Sequence, residues 1–161
     1  MKYLMLSGIP TSGKSTYVNK LREIHYWQSA VILSTDNYIA RIAEESDTTY
    51  DDVFEEYIKE ATRQLHLDLQ EAIKLNKPII HDQTNLTIKT RAKKLSNIPV
   101  RYQKIIVHFE VPLEEALRRN KCRPGKFISE DIIKRMFYTF EPPTSDEGFN
   151  LVLRSDQELS I

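Results

Sequence analysis

Cysteine, glycine and tryptophan are scarce in this chain. One cysteine, Cys122, stands among 161 residues. No disulfide can close within the chain, and a reducing compartment is expected. Only four glycines occur, so no Gly-rich linker divides the sequence. Net charge is missing as well. Lys+Arg and Asp+Glu each number 23, without the basic excess of many nucleic-acid binders. Contact with a nucleic acid would need a local patch or a grip on a strand end alone. No apolar run approaches the ~18 residues of a membrane span. Lys2 is followed by only a few apolar residues before Gly8, short of a signal-peptide core. These absences predict one domain over residues 1–161, cytoplasmic and without a membrane partner; they leave the oligomeric state open.

Two of the four glycines lie in one stretch, Gly8-Ile9-Pro10-Thr11-Ser12-Gly13-Lys14-Ser15, followed by Thr16. This is the phosphate-binding loop pattern: Gly, four residues, then Gly-Lys-Ser. An apolar run, Tyr3-Leu4-Met5-Leu6, precedes it, and Val18, Leu21 and Ile24 follow at helical spacing. Glycine lets the backbone turn tightly around a phosphate chain. Successive N–H groups and the positive end of the next helix then point at the anion. Lys14 is placed to reach the β- and γ-phosphates, and the Ser15 hydroxyl to ligate Mg²⁺. Residues 8–16 are therefore the expected nucleotide-phosphate site.

Short apolar runs read as strands at Lys2–Ser7, Ala30–Ser34, Pro78–Asp82, Lys104–Val111 and Asn150–Arg154. Helical patterns alternate with them, at Lys14–His25, Asn37–Glu45, Tyr50–Leu75, Ile88–Leu95, Leu113–Asn120 and Ser129–Phe140. Such alternation predicts an α/β fold, a parallel five-stranded sheet flanked by helices. In the longest helix Val53, Tyr57, Ala61, Leu65, Leu69, Ala72 and Ile73 share one face, the side expected to meet the core.

Three further stretches carry chemistry. Asp36 follows the second apolar run, where strand ends line the ligand crevice of open α/β sheets. A carboxylate there is placed to take the proton of an attacking hydroxyl, although Asp is equally suited to cap a helix. Asp82 ends the third apolar run, the usual position of a carboxylate near a loop-bound metal; Thr84 and Asn85 fit as caps of the helix that follows. His81, alternating with apolar neighbours, reads as structural. Between Arg118 and Lys126 lie five positive charges in nine residues, broken by Pro124-Gly125. Cations suit a helix C-terminus, but that accounts for only one or two of them. The rest suggest a lid over a transferring phosphate, with Arg119 and Arg123 as its best candidates. The stretch Phe140–Phe149 reads as a Pro/Gly-punctuated connection that demands no chemistry.

Together these stretches resemble the kinase domain of 5′-polynucleotide kinases, both the T-even phage type and the metazoan end-healing type. Asp36-Asn37-Tyr38 is similar to that family's catalytic aspartate segment, and Asp82-Gln83-Thr84-Asn85 to its Asp-x-Thr-Asn segment, with Arg91 after it. Glu110–Asn120 is similar to the start of its lid helix. Phe140–Phe149 is similar to the metazoan ending Phe-Glu-x-Pro-Thr-x-x-Glu-Gly-Phe and is the most discriminating match. The resemblance implies an adenylate-kinase-like P-loop fold with a short arginine-bearing lid. It implies ATP and Mg²⁺ as cofactors and a 5′-hydroxyl nucleic-acid end as acceptor. It places Asp36 as general base, Lys14 and Ser15 on the phosphates and metal, and Arg119 and Arg123 in the lid. One departure stands out: where the phage type carries an arginine three residues after the aspartate, this chain has Ile39, and Arg41 falls on another side of a helix.

Two other readings compete. A small-molecule kinase acting on a nucleoside, sugar or other metabolite suits the neutral charge and Ile39. A nucleotide-binding module without transfer activity is disfavoured, because binding alone needs no carboxylate opposite the γ-phosphate.

Overall fold

The computed structural model describes residues 1–124, 126–157 and 159. Gly125, counted above in the basic stretch, lies outside them. Among the described residues five strands form one sheet: β1 (Lys2–Ser7), β2 (Val31–Leu33), β3 (Ile79–Asp82), β4 (Gln103–His108) and β5 (Leu151–Arg154). All are parallel, in the order β2-β3-β1-β4-β5. The helices are α1 (Lys14–Glu23), α2 (His25–Gln28), α3 (Thr35–Glu45), α4 (Tyr50–Lys74), α5 (Ile88–Leu95), α6 (Leu113–Lys121) and α7 (Glu130–Thr139). A 3₁₀ turn covers Ser145–Glu147.

Side chains alternate across a strand, so β1 feeds two cores. Tyr3 and Met5 face α4 and α5, packing with Leu65, Leu69, Ala72 and Leu95. Leu4 and Leu6 face α1 and α2, packing with Val18, Leu21 and Trp27. Helix α4 serves two partners with its one apolar face. Val53, Tyr57 and Ala61 pack on α3, and Leu65, Leu69, Ala72 and Ile73 pack on the sheet. Its N-terminus is fixed by a capping box between Thr49 and Asp52.

Three expectations need correction. The first helix breaks at Ile24, whose extended backbone starts the short helix α2 (φ −85°, ψ 124°). Strand β4 stops at His108, because Phe109 leaves the sheet to cover Gly8, with its N–H donating to the Ser7 carbonyl (2.8 Å). Thr84 and Asn85 do not cap α5: Thr87 does, accepting from the Thr90 N–H, and the Glu141 carboxylate accepts from the Ile88 N–H (2.6 Å).

Among the described residues no helix is long and apolar enough to cross a membrane.

Candidate active site

The carboxyl ends of β1, β2 and β3 open into one cleft of about 1090 Å³. Residues Pro10–Thr16 of the loop form one wall. Gly8 lies beneath that wall because a Cβ there would come within 2.8 Å of Ser12 Oγ and 2.9 Å of Phe109 Cβ. Gly13 has φ 103°, in the left-handed region glycine tolerates. Ile9 is buried among Val111, Ala116 and Ile133 and does not line the cleft. Gly8 and Ile9 meet the site through their carbonyls, which each accept from Lys14 Nζ at 2.8 Å. Burial pulls the Lys14 pKa down to about 8, the fields of Asp82 and Asp36 only partly opposing it. The amine is thus a desolvated donor held in the loop's own curl.

Strand β3 delivers Asp82 beside this loop: Asp82 pairs in register with Leu6, and the Gly8 N–H donates to the Thr84 carbonyl (2.9 Å). Burial raises the pKa of Asp82, and Lys14 counteracts part of that rise. Ser15 and Asp82 line the same cleft, an oxygen pair that suits a hard cation carrying water and phosphate ligands.

Asp36 enters from the opposite wall, in the first turn of α3. Ser34, not Asp36, caps that helix, its side chain accepting from the Asn37 N–H; the carboxylate of Asp36 lines the cleft instead. Tyr50, the first residue of α4, donates its hydroxyl to Asp36 Oδ1 (2.8 Å). Lys126 pairs with Oδ2 at 2.5 Å and sits 3.9 Å from the Tyr50 ring centroid. Partial desolvation pushes the Asp36 pKa up, but Lys126, then Tyr50 and Arg123, bring it below the usual aspartate value. The side chain remains 58% exposed, so solvent screens much of this.

Five cations of the basic stretch separate into two groups. Arg118 forms a two-pronged bond with Glu115, and Lys121 reaches Glu130 on α7 (3.1 Å). Arg119, Arg123 and Lys126 line the cleft. Arg119 is steered there by Glu115 (2.7 Å) and by the Thr11 carbonyl (3.1 Å). Hydrogen bonds from Arg118 and Arg119 hold Glu115 at about 2. The segment bearing Lys126 is joined to α4 through the Phe127 N–H and Asp51 Oδ2 (2.9 Å).

Sequence reasoning missed Tyr50 and passed over Lys126 for its arginine neighbours. Lys126 had a signal, its place in the basic run; Tyr50 had none, lying 14 residues from the carboxylate it binds. Ile39 is wholly buried between α3 and α4, and Arg41 lies outside, over the Tyr38 ring and 3.8 Å from Glu45. The Phe140–Phe149 stretch is architectural. Arg91, fully buried, bonds both oxygens of Glu147 (2.6 and 2.7 Å) and the carbonyls of Asn85, Leu86 and Glu141. His81 is structural as expected, bonded to the Tyr3 hydroxyl (2.7 Å) and to Gln83.

The sheet order, the loop and the flanking helices define a P-loop kinase fold. The AAA domain family model AAA_33 matches residues 4–143, and the chain belongs to that family. The family supports nucleotide binding and kinase-type phosphotransfer. No curated protein matches the chain significantly. Among solved structures it is similar to a kinase-like protein of Chloroflexus aurantiacus, at 13% identity and TM-score 0.70 over 96% of this chain and 88% of that one. A chain of the Pnkp1/Rnl/Hen1 RNA repair complex matches at 22% identity and TM-score 0.67, over 86% of this chain but 43% of its own. A gluconokinase of Sinorhizobium meliloti matches at 17% identity and TM-score 0.58, over 98% of this chain and 84% of its own. At these identities the likeness is one of fold.

Proposed function

We propose that residues 1–161 act as one kinase domain that transfers the γ-phosphoryl group of ATP to the 5′-hydroxyl end of a polynucleotide. The observation that carries this reading is the wall opposite the loop. There Tyr50 bonds the Asp36 carboxylate, and Ala40, Phe54 and Ile58 line the same cleft. A carboxylate poised for a hydroxyl proton, beside an aromatic and apolar surface, suits a terminal nucleotide whose flat base stacks while its hydroxyl meets the base catalyst.

In this reading the 5′-oxygen attacks the γ-phosphorus. The bond from that phosphorus to the β,γ-bridging oxygen breaks, ADP leaves, and the hydroxyl proton passes to Asp36. The backbone N–H groups of Gly13–Thr16, with the Lys14, Arg119 and Arg123 side chains, bear the phosphate charge in this reading. Ser15 and Asp82 would hold Mg²⁺, which would supply neutralisation of the phosphate charge. Lys126 must release Asp36 as the acceptor arrives.

A small-molecule acceptor is the second reading. Ile39, buried where the phage-type kinases carry an arginine, favours it. One experiment separates the two: γ-labelled ATP and Mg²⁺ are offered to 5′-hydroxyl DNA and RNA oligonucleotides and, in parallel, to nucleosides and sugars. Label is expected on the oligonucleotides; label on small molecules alone overturns the proposal. Asp36→Asn is expected to lower kcat by about 10²–10⁴-fold while ATP affinity holds. Near-normal turnover in that variant rejects the assignment of the base.

A further inference from the structure

Behind Asp82 a polar network runs from the floor of the sheet to the first turn of α3. Its members are Tyr3, His81, Gln83, Lys94, Asn85 and Thr35, drawn from β1, β3, the loop after β3, α5 and α3. Three constraints fix its polarity. Lys94 is donor-only, and its Nζ bonds Gln83 Oε1 and Asn85 Oδ1, both neutral acceptors. The oxygen of Gln83 is thereby turned toward Lys94, and its amide nitrogen toward Thr35 Oγ1, to which it donates at 3.2 Å. His81 Nε2 also meets Gln83 Oε1 (3.1 Å), so that nitrogen carries the proton and Nδ1 accepts from the Tyr3 hydroxyl (2.7 Å). Burial keeps His81 neutral, holding its pKa at about 3, in keeping with a single proton on the ring.

Thr35 is the residue before Asp36, is buried, and opens α3. Among the described residues its hydroxyl has Gln83 as its side-chain partner from the sheet side. The bonds that open this turn are long: the Asn37 N–H donates to Ser34 Oγ at 3.3 Å and the Tyr38 N–H to the Ser34 carbonyl at 3.4 Å. The planar amide of Gln83 meets both Lys94 and Thr35 at once, its oxygen accepting from Lys94 and its nitrogen donating to Thr35.

We propose that Gln83 is a positioning residue: by bridging Lys94 to Thr35 it fixes the first turn of α3, and with it the Asp36 carboxylate, against the phosphate loop. The inference rests on the kinase reading only for its catalytic consequence; its geometric part stands alone.

Two readouts test it on the full chain. The first is amide hydrogen exchange at Asn37 and Tyr38 in the ligand-free protein. Gln83→Met is expected to speed exchange there about tenfold and leave the β1 and β4 amides unchanged, as for a local opening. Unchanged exchange at Asn37 and Tyr38 overturns the proposal. This readout needs neither ATP nor an acceptor, so it stands whether or not the polynucleotide reading does. The second is a double-mutant cycle. Gln83→Met and Thr35→Val are each expected to lower kcat about tenfold with the KM for ATP held within about twofold, and the pair together to cost no more than either alone. Additive losses, unchanged kcat, or a rise in KM with kcat intact each overturn it. ATP hydrolysis without acceptor supplies the same kcat comparison if the oligonucleotides fail as acceptors.

Discussion

Lys126 and Lys14 make two residues of this cleft respond to pH in opposite directions. Lys126 holds Asp36 below the usual aspartate value, against a partial desolvation that pushes it up. A general base loses activity as pH falls through its pKa. Lys126→Met therefore raises the Asp36 pKa and moves the acid limb of the kcat/KM profile to higher pH; a pH–rate series on both proteins checks this. Lys14 presents the reverse case. Its pKa is lowered to about 8 by burial, and a bound triphosphate favours the charged amine. ATP binding then takes up a proton above pH 8, and the Kd for ATP is expected to rise up to tenfold per pH unit there. Titration calorimetry across that range measures it, and Lys14→Met should flatten the dependence. The same lowered pKa has a cost in the ligand-free fold. Below pH 8 a charged lysine is held in a desolvated place, and stability rises with pH from 8 toward the unfolded value because the unfolded chain binds more protons.

Helix α5 and the 3₁₀ turn are joined by a buried ion pair rather than by apolar packing. Arg91 is wholly buried and Glu147 nearly so, at 0% and 5% side-chain exposure. Removing one partner strands the other's charge, so Glu147→Ala is expected to cost about 3–5 kcal/mol. Thermal unfolding should show it as a fall in Tm of roughly 10 °C. Burial pushes the Glu147 pKa up, but bonds from Arg91 and the Thr144 N–H outweigh it and leave it low. A depressed carboxylate stabilises the fold above its unfolded pKa, and that contribution is lost as pH falls through the folded one. This pair also marks the limit of what the sequence displays. The strands, the long helix and the phosphate loop were legible because period and spacing are local signals: Gly13, Lys14 and Ser15 need only their own neighbours to be read. Asp36, Asp82, Arg119 and Arg123 were found because they stand at element ends, and the fold does bring all four to one cleft. Tyr50, Gln83 and Lys94 were not, because their partners lie 14, 48 and 11 residues away, and no local pattern encodes such pairings. The Phe140–Phe149 stretch was noticed for its composition but not for its task, since a buried glutamate cannot be told from a solvated one until Arg91 is seen against it.

At the scale of the whole molecule, neutrality hides a polarised surface. Between residues 44 and 60 the acids Glu44, Glu45, Asp47, Asp51, Asp52, Glu55, Glu56 and Glu60 face a single base, Lys59. All but Glu60 are exposed, on α3, α4 and the turn between them. These are the helices that carry the cleft wall around Asp36, where the acceptor is proposed to bind. This rim repels a nucleic-acid strand, so a polynucleotide acceptor, as proposed, is expected to be gripped chiefly at its terminal unit. The slope of log affinity against log salt is then expected to stay near −1, about 0.7 per contacted phosphate of a single strand. Binding of a 5′-hydroxyl oligonucleotide between 50 and 200 mM salt, roughly the range over which a broad basic groove weakens by 10³-fold or more, measures that slope. A steep slope would place a basic track elsewhere on the molecule. The clamp between Arg91 and Glu147 has a consequence for synthesis as well. Chains fold from the N-terminus as they emerge from the ribosome, and 56 residues separate these two partners. Helix α5 is made early but carries an unanswered guanidinium until Glu147 appears. The pair therefore closes only after the cleft-lining residues from Pro10 to Ile128 have been translated.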